Sequence, residues 1–323
     1  MNTLVTGASG FIGSWLVRKL LHEGHKVRVL CRPTSQFPLI SDLEFEKAFG
    51  DITDLQSLKP ALNQIDTVFH LAGCIGYKRS DHALMEQVNV VGTQNIYKLS
   101  LENRVKNFIY LSSVTAIGAS LSPFQIMDEN SEFNLSEFSF GYAESKRKGE
   151  KIVLSGNSSM KCVALNPSTV YGPGDMLKSS RKNQLKAMKG KLLFYPYGGV
   201  SVVGIHNVVD AIYKSVELGE HGQRYILSGD NLYIKDLMDK ICKASGSKPP
   251  KYQIPTFLLN TLGYIGDHFT NGKPIDSETA NVIQLFHWYK NKKAVQKLEF
   301  KPSPSDEVIQ SSVEWAKKFI LNK

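Results

Sequence analysis

The sequence has little of what disulfide frameworks, metal centres and membrane spans are built from. Its four cysteines lie far apart and form no Cys-x-x-Cys pair, so we expect buried, reduced thiols. Its eight histidines include no His-x-x-x-His pair, which leaves metal catalysis without support. No apolar run is long enough to span a bilayer, and no leader precedes the first apolar strand. We therefore expect a cytoplasmic protein without an integral membrane segment.

What is present is an ordinary globular composition with a basic balance. The 323 residues are 42% hydrophobic, enough for one large domain or for a cofactor domain with a smaller lobe. The 39 Lys and Arg against 30 Asp and Glu give a formal net charge of +9, which favours anionic partners such as dinucleotides. The basic residues are spread along the chain without a separate basic tail, and this argues against nucleic acid as a partner.

Short apolar strands alternate with longer amphipathic stretches over the first two-thirds of the chain, a pattern typical of parallel βαβ units. The expected strands are 3–6, 26–31, 67–71, 107–111 and 161–165, and the main expected helices are 12–23, 84–101 and 142–154. These elements predict an α/β fold with a doubly wound parallel Rossmann sheet.

Beyond residue 167 the alternation stops, and glycine and proline become denser, so we expect a smaller C-terminal substrate lobe. We assign residues 1–166 to an NADP-binding Rossmann domain, with 200–228 returning to it, and residues 167–199 and 229–323 to the substrate-binding lobe. The last helix is expected to begin at Ser303-Pro304, because a capping residue followed by proline is a helix start signal.

A glycine-rich turn joins the first strand to the first helix. Its sequence is Thr6-Gly7-Ala8-Ser9-Gly10-Phe11-Ile12-Gly13. Glycines in this context let the backbone turn sharply and approach a pyrophosphate held at a helix N-terminus. A purely structural turn is the alternative. The second apolar strand, which ends about twenty residues further on, supplies the context that favours dinucleotide binding.

That second strand is followed by Arg32, where NAD enzymes usually carry an acid that accepts bonds from the ribose hydroxyls. A guanidinium cannot accept a hydrogen bond, but it binds a 2′-phosphate through charge-assisted bonds. NADP(H) is therefore favoured over NAD(H). Asp51 and Ile52 follow a further short strand and are candidates to meet the adenine, although Asp51 could equally cap a helix.

A tyrosine and a lysine four residues apart, Tyr142 and Lys146, share one face of a predicted helix. A nearby positive charge favours the phenolate and brings a phenol closer to acid–base work at neutral pH. The alternative is that these two side chains are an ordinary pair on an exposed helix surface. The position of Ser112-Ser113 at the end of an upstream strand favours catalysis, since open α/β sheets bind ligands at that edge.

Together these motifs resemble the extended branch of the short-chain dehydrogenase/reductase superfamily, also described as the NAD-dependent epimerase/dehydratase family, over almost the whole chain. The resemblance implies that Ser113 polarises a substrate carbonyl, Tyr142 exchanges the proton and Lys146 assists it. It also implies a homodimer formed through helices 84–101 and 142–154. The implied cofactor-binding residues are Thr6, Gly7, Ser9, Gly10, Phe11, Ile12, Gly13, Arg32, Asp51, Ile52, Leu71, Ala72, Gly73, Asn89, Ser112, Pro167, Ser168 and Val170.

Two features bear on the substrate. Asn166 stands where many members of the superfamily have arginine, which weakens the case for a sugar nucleotide. A basic group is formed by Lys178, Arg181, Lys182 and Lys186. It could bind a negatively charged part of the substrate, but a solvated helix face is the preferred interpretation. The apolar stretch 254–265 could line a pocket, a subunit contact or a membrane, and ordinary core packing is expected.

Within this branch the first forty residues are most similar to dihydroflavonol-4-reductase-like carbonyl reductases. The implied reaction is NADP(H)-dependent reduction of a ketone or aldehyde, a small-molecule carbonyl substrate. A nucleotide-sugar epimerase with retained NAD(P) is the alternative, because it can use the same serine, tyrosine and lysine. Dehydratases carry an Asp-Glu pair where this chain has Val114-Thr115, so they rank third. A non-catalytic NADP-binding protein would have little reason to keep all three catalytic residues.

Overall fold

A computed structural model describes residues 1–76, 78–156, 159–175, 181–270 and 275–321. Its strands are β1 Asn2–Thr6, β2 Lys26–Cys31, β3 Glu46–Phe49, β4 Thr67–His70, β5 Asn107–Leu111, β6 Lys161–Pro167, β7 Thr169–Tyr171, β8 Phe194–Pro196, β9 Gly199–Gly204, β10 Gln223–Leu227, β11 Asp230–Tyr233, β12 Tyr252–Ile254 and β13 Phe286–His287. Its α-helices are α1 Phe11–His22, α2 Leu55–Leu58, α3 His82–Met85, α4 Gly92–Glu102, α5 Gly141–Leu154, α6 Lys182–Met188, α7 Ile205–Leu218, α8 Ile234–Ser245, α9 Thr256–Phe269, α10 Ser277–Val282, α11 Lys292–Lys297 and α12 Ser305–Ala316.

Seven strands form one parallel sheet in the order β10-β6-β5-β4-β1-β2-β3. The central strands are short and largely apolar on both sides, as expected for a parallel sheet covered on both faces, whereas the edge strand β3 is mostly exposed. One apolar layer, which includes Leu16 of α1 and Val208 of α7, covers the first face. The second layer includes Ile96 of α4 and Val153 of α5. The predicted doubly wound Rossmann sheet is confirmed.

The order of the strands reverses between β1 and β4, because the chain winds outward from β1 to β3 and then returns to β4. The loops that follow these two neighbours leave in opposite directions, which opens a crevice at the carboxyl edge of the sheet. This crevice is where the fold places a ligand. The glycine turn after β1 and the segment 71–76 after β4 form its two sides.

The C-terminal region is built around two smaller sheets. In one, β9 pairs with β7, β11 and β13, and in the other β8 pairs with β12. Helix α7 and strand β10 instead belong to the large sheet and its covering layer. The division into cofactor and substrate domains stays a prediction.

Several local expectations need correction. Helix α12 begins at Ser305 and Pro304 is its N-cap, one residue later than predicted. The expected helix 84–101 is not one regular α-helix. Helix α3 ends at Met85, residues 86–91 form a wider π-helical turn, and α4 begins at Gly92. Three of the four free cysteines are buried as expected, but Cys74 is only half-buried.

The preferred interpretation of the basic group is wrong for Arg181, and that of the stretch 254–265 is wrong as a whole. Arg181 is buried and its guanidinium lies 3.9 Å from the centre of the Tyr171 ring, so it is not part of a solvated face. Lys182 and Lys186 are exposed, and Lys178 lies outside the described residues. The stretch 254–265 is mostly exposed rather than core, because only narrow stripes of α9 contact the rest of the chain. No helix among the described residues is long and apolar enough to cross a bilayer.

Candidate active site

At the turn after β1, the backbone of Gly7 packs directly against the segment that follows β4. Gly7 has φ +74°, and a Cβ at this position would lie 2.6 Å from the amide nitrogen of Ala72. Any larger residue would force the two segments apart. The next residues lead into α1, whose N-cap is Gly10 and carries no capping side chain. No side chain caps this helix start, where the helix dipole favours an anionic ligand such as a pyrophosphate.

Arg32 is exposed directly after β2, in a turn closed by Ser35. The carboxylate of Asp51 accepts hydrogen bonds from the backbone N–H (2.9 Å) and the hydroxyl (2.8 Å) of Thr53, so it caps a turn. The Thr53 backbone bond, with a smaller contribution from the Arg32 charge, lowers the pKa of Asp51. Ile52 is nearly buried, and its carbonyl accepts a bond from the side chain of Asn95 on α4. These residues thus lie on one side of the crevice, beside β2 and β3.

A chain of buried polar groups runs beneath the crevice. The hydroxyl of Thr6 lies 2.8 Å from Nδ1 of His70, and Nε2 of His70 lies 3.0 Å from the hydroxyl of Thr93. The Thr93 hydroxyl donates to the carbonyl of Asn89 at 2.7 Å. Sequence reasoning missed both His70 and Thr93. The only signal was a histidine at the end of an apolar strand.

The protons of this chain have one consistent arrangement. The Thr93 hydroxyl donates its only proton to the Asn89 carbonyl, so His70 must donate from Nε2 to Thr93 and accept at Nδ1. Thr6 then donates to Nδ1 and accepts from the backbone N–H of Ala72. Burial lowers the pKa of His70 to about 3, with a further contribution from the Lys146 charge, so the ring stays neutral.

Asn89 extends the chain to the helix that carries the tyrosine. Its side-chain nitrogen donates to the carbonyl of Cys74 and to the hydroxyl of Ser145, each at 2.9 Å. Its oxygen accepts from the backbone N–H of Cys74 at 2.8 Å. Ser145 in turn donates to the carbonyl of Tyr142. Hydrogen bonds therefore connect the glycine turn to the first turn of α5.

Lys146 is buried one helical turn after Tyr142. Its ammonium donates to the carbonyl of Leu111 at 2.6 Å and lies 4.7 Å from the centre of the Tyr110 ring. Burial lowers the pKa of Lys146 to about 8, while the negative charge of Glu150 opposes this shift. Tyr142 is half-buried beside the ring of Phe140. The arrangement places a cationic group of modest pKa on the same helix face as a phenol.

Glu150 is a further buried group that the sequence analysis overlooked. It lies one more turn along α5, so Tyr142, Lys146 and Glu150 follow a spacing of four residues. Its carboxylate accepts bonds from Asn166 (2.6 Å) and Arg224 (3.2 Å). The four-residue repeat was the signal available in the sequence.

Asn166 also donates to the carbonyl of Ser113 at 2.9 Å. At the position where arginine is common in related enzymes, this chain thus has an asparagine whose side-chain nitrogen bonds within the protein. The Ser113 hydroxyl accepts from the N–H (3.2 Å) and the hydroxyl (2.9 Å) of Thr115, and so caps the short turn 114–116.

Buried hydroxyls without a partner among the described residues lie at the ends of two neighbouring strands. Ser112 follows β5 and Ser168 follows β6. Leaving buried hydroxyls unbonded is costly, which is expected where a ligand supplies the missing bond. These hydroxyls, the close backbone approach at Gly7 and the start of α1, which no side chain caps, fit a nicotinamide dinucleotide.

The structure brings most of the predicted site residues to one edge of the large sheet. The residues of the turn after β1, and Arg32, Leu71, Ala72, Gly73, Ser112, Ser113, Pro167 and Ser168, lie at the carboxyl ends of its strands. Asp51 and Ile52 follow β3, Asn89 belongs to the π-helical turn, and Val170 lies in β7 of a smaller sheet.

Comparisons with known proteins agree with this geometry. Residues 4–241 match the model of the 3-beta hydroxysteroid dehydrogenase/isomerase family. The chain is 28% identical to "Sterol demethylase protein B" of Methylococcus capsulatus, over 83% of this chain and 81% of that protein. It is 29% identical to a "3 beta-hydroxysteroid dehydrogenase/Delta 5-->4-isomerase" of Mycobacterium tuberculosis, over 93% and 85%. It is 26% identical to a "Putative dihydroflavonol 4-reductase" of Synechocystis, over 96% and 93%.

Solved structures share the fold along the full length. The crystal structure of gox2253 has a TM-score of 0.87 and 30% identity, covering 98% of each chain. The UDP-glucose 4-epimerase of Thermus thermophilus, solved with NAD, has a TM-score of 0.79 and 21% identity, covering 99% of this chain and all of the other. The resemblance to extended short-chain dehydrogenases/reductases is confirmed.

Replacing Thr93 by valine tests the buried chain. Valine keeps the shape but leaves the Nε2–H of His70 without an acceptor, so we expect a loss of about 1–3 kcal/mol in the free energy of unfolding. Ser100→Ala is the matched control, since Ser100 also lies buried on α4 and donates only to the carbonyl four residues before it. Its expected loss is about 0.5–1.5 kcal/mol. Urea unfolding measures both, and the Thr93 variant should lose more than the control; a loss no larger than that of Ser100→Ala would contradict the role of Thr93 as the buried partner of His70.

Proposed function

The chain belongs to the 3-beta hydroxysteroid dehydrogenase/isomerase family, and from that premise we propose that it is an NADP(H)-dependent oxidoreductase that reduces a ketone or aldehyde to an alcohol. The observation that carries this proposal is the buried ammonium of Lys146 on the helix face of Tyr142, at the ligand-binding edge of the sheet. Two of the three relatives above are named for sterols or steroids, which supports an apolar carbonyl compound as substrate.

In the proposed mechanism the nicotinamide, when bound, supplies the hydride for the carbonyl carbon. The residues of the turn 6–13, together with Ser112 and Ser168, hold the dinucleotide, and Arg32 binds its 2′-phosphate. Leu71, Ala72 and Gly73 line the crevice on its other side. Asp51, Ile52, Asn89, Pro167 and Val170 complete the proposed cofactor-binding set.

The chain's own groups manage the proton. Ser113 donates a hydrogen bond to the carbonyl oxygen of the substrate, and Tyr142 delivers the proton that turns this oxygen into a hydroxyl. Lys146 favours the phenolate left on Tyr142, because a positive charge one turn away offsets its negative charge. Asn89 holds Ser145 and thereby the start of α5, so it is a positioning residue.

The same geometry favours a reductase over the epimerase alternative. The side-chain nitrogen of Asn166 donates to Glu150 and to the Ser113 carbonyl and is thus occupied within the protein, whereas its Oδ1 has no partner among the described residues. The epimerase likeness, at 21% identity, concerns the fold alone. We further propose that 1–166 with 200–228 binds the cofactor, that the remaining segments bind substrate, and that the protein is a homodimer through α3, α4 and α5. Leu84, largely exposed at α3, suits such a contact.

Tyr142→Phe should abolish turnover while NADPH still binds. Loss of a positioned acid is expected to lower kcat by about 10²- to 10⁴-fold, as followed by NADPH consumption with a panel of ketones and aldehydes. Tyr213→Phe is the control, since this phenol lies on α7 beside His25. Unchanged turnover in the Tyr142 variant would refute the proton donor. Retained NAD with sugar isomerisation and no net consumption of NADPH would refute the reductase.

Arg32→Ala should weaken NADPH selectively. A charge-assisted bond to the 2′-phosphate contributes about 1.5–3 kcal/mol, so the Kd for NADPH should rise by about 10- to 150-fold. The Kd for NADH should stay the same, because that cofactor lacks the phosphate. Titration calorimetry and thermal shifts measure both affinities. Lys98→Ala, an exposed cation on α4, serves as the control. Equal effects on NADPH and NADH would contradict the assignment.

Glu150→Gln should move the alkaline limit of activity to lower pH. The Glu150 carboxylate raises the pKa of Lys146, which burial has already lowered to about 8. Removing the negative charge lowers this pKa further, so the ammonium form and its support of Tyr142 are lost at a lower pH. The pH profile of kcat/KM measures the shift, with circular dichroism as a check on folding. Glu144→Gln, on another face of α5, should leave the limit in place; a shift to higher pH in the Glu150 variant would refute the argument.

A further inference from the structure

Helix α9 is packed in an unusual way, with small residues inside and large apolar residues outside. Its buried positions are Leu259, Gly263 and Gly266. A Cβ at Gly263 would lie 2.9 Å from the Cα of Ser277, and one at Gly266 would collide with the carbonyl of Ile275. The helix therefore rests on α10 through backbone. An ordinary surface helix buries its large apolar residues instead.

The outward side of α9 forms one continuous apolar face. Positions 257, 258, 261, 264, 265, 268 and 269 fall on one side at helical spacing; five of them are aliphatic or aromatic, and the other two are Thr261 and His268. Phe257 and Phe269 are 73% and 76% exposed. Leu258, Tyr264 and Ile265 are exposed beside them. A contiguous exposed surface of this kind usually marks an interaction site.

The β8–β12 ribbon enlarges this face. Strand β12 leads directly into α9 through Pro255, and the exposed rings of Phe194 and Tyr252 lie 5.8 Å apart on the paired strands. Leu193, just before β8, is exposed too. We call these side chains the apolar face: Leu193, Phe194, Tyr252, Phe257, Leu258, Tyr264, Ile265 and Phe269.

The rim of the apolar face is basic. Residues 181–209 and 240–266, which meet in the β8–β12 ribbon, contain no Asp or Glu, and the one acid of α9 is Asp267 near the other end of the helix. Lys189 and Lys191 precede β8, Lys248 and Lys251 precede β12, and all four are exposed. The backbone N–H of Lys251 donates to the carbonyl of Leu193, so the two lysine pairs lie at the same end of the ribbon.

We propose that the apolar face and its lysine rim dock the protein on the surface of an anionic lipid bilayer. Exposed aromatic and aliphatic side chains enter the headgroup boundary, and the lysines bind the negatively charged headgroups. The charge pattern argues against a second copy as the occupant. A twofold contact through this face would bring two sets of four lysines together, with only Asp267 of each α9 as an acid to balance them.

Docking would also bring a cavity to the lipid surface. A cavity of about 600 Å³ is lined by Asp267 of α9, by Ser277 and Glu278 of α10, and by Phe138 and Ser139 just before α5. Its wall thus includes the end of the docking helix and the approach to Tyr142. The rest of its lining is mostly charged or polar and includes Lys78, Arg79 and Asp276, so the cavity suits a polar group better than an apolar one.

Flotation with vesicles tests the docking. The purified chain should bind vesicles of phosphatidylcholine with 30 mol% phosphatidylglycerol at least about tenfold more strongly than vesicles of phosphatidylcholine alone, and added salt should weaken the binding. The double variant Phe257→Ser/Phe269→Ser should lose at least about tenfold in vesicle binding. The quadruple alanine variant of Lys189, Lys191, Lys248 and Lys251 should lose the preference for phosphatidylglycerol. Phe124→Ser, 95% exposed elsewhere, and Lys98→Ala should bind like the original chain.

Phe257→Trp provides a test that does not depend on a loss of vesicle binding. Its fluorescence should shift to the blue on the anionic vesicles and be quenched by brominated lipid chains. Absence of vesicle binding, or binding that is the same in the phenylalanine and control variants, would overturn the proposal. So would a lipid-free dimer in sedimentation velocity that the Phe257→Ser/Phe269→Ser variant dissociates, because the face would then belong to a second copy.

Discussion

The buried ammonium of Lys146 dictates how the polar interior is arranged. A charge taken out of water is costly unless polar groups around it replace the lost hydration. Here the Leu111 carbonyl and the Tyr110 ring contact the ammonium, and the Glu150 carboxylate acts on it from one turn away. Glu150 needs partners of its own, and it finds them in Asn166 and Arg224. One cation thereby ties α5 to β5, β6 and β10.

The cofactor side of the crevice is held by a different kind of interaction. The bonds from Thr6 through His70 and Thr93 to Asn89 join neutral groups, and their directions are fixed because each hydroxyl has a single proton. Neutral bonds of this type depend on geometry more than on charge, so they hold β1, β4 and the π-helical turn in register. Asn89 then joins this neutral chain to α5 through Ser145.

Sequence reasoning found the parts whose signals are local. The five expected strands of the large sheet are largely apolar runs, the turn 6–13 carries its glycines within eight residues, and Tyr142 and Lys146 are one turn apart. It could not find the pairs that the sheet creates between distant segments. Thr6 and His70 are 64 residues apart, and Arg224 meets Glu150 across 74 residues. Arg181 shows the same limit, since only the fold brings Tyr171 over its guanidinium.

The expectation for α9 failed for a reason of composition. An apolar stretch normally indicates core, but the buried stripe of this helix is largely glycine, and glycine contributes no side chain to a core. The contact with α10 is close because of those glycines. Glu278 of α10 in turn accepts a bond from the backbone N–H of Gly141 and lies 2.9 Å from His82. The exposed helix is thus joined to the residue immediately before Tyr142 through the close backbone packing of α9 at residues 275–277 and the Glu278 carboxylate.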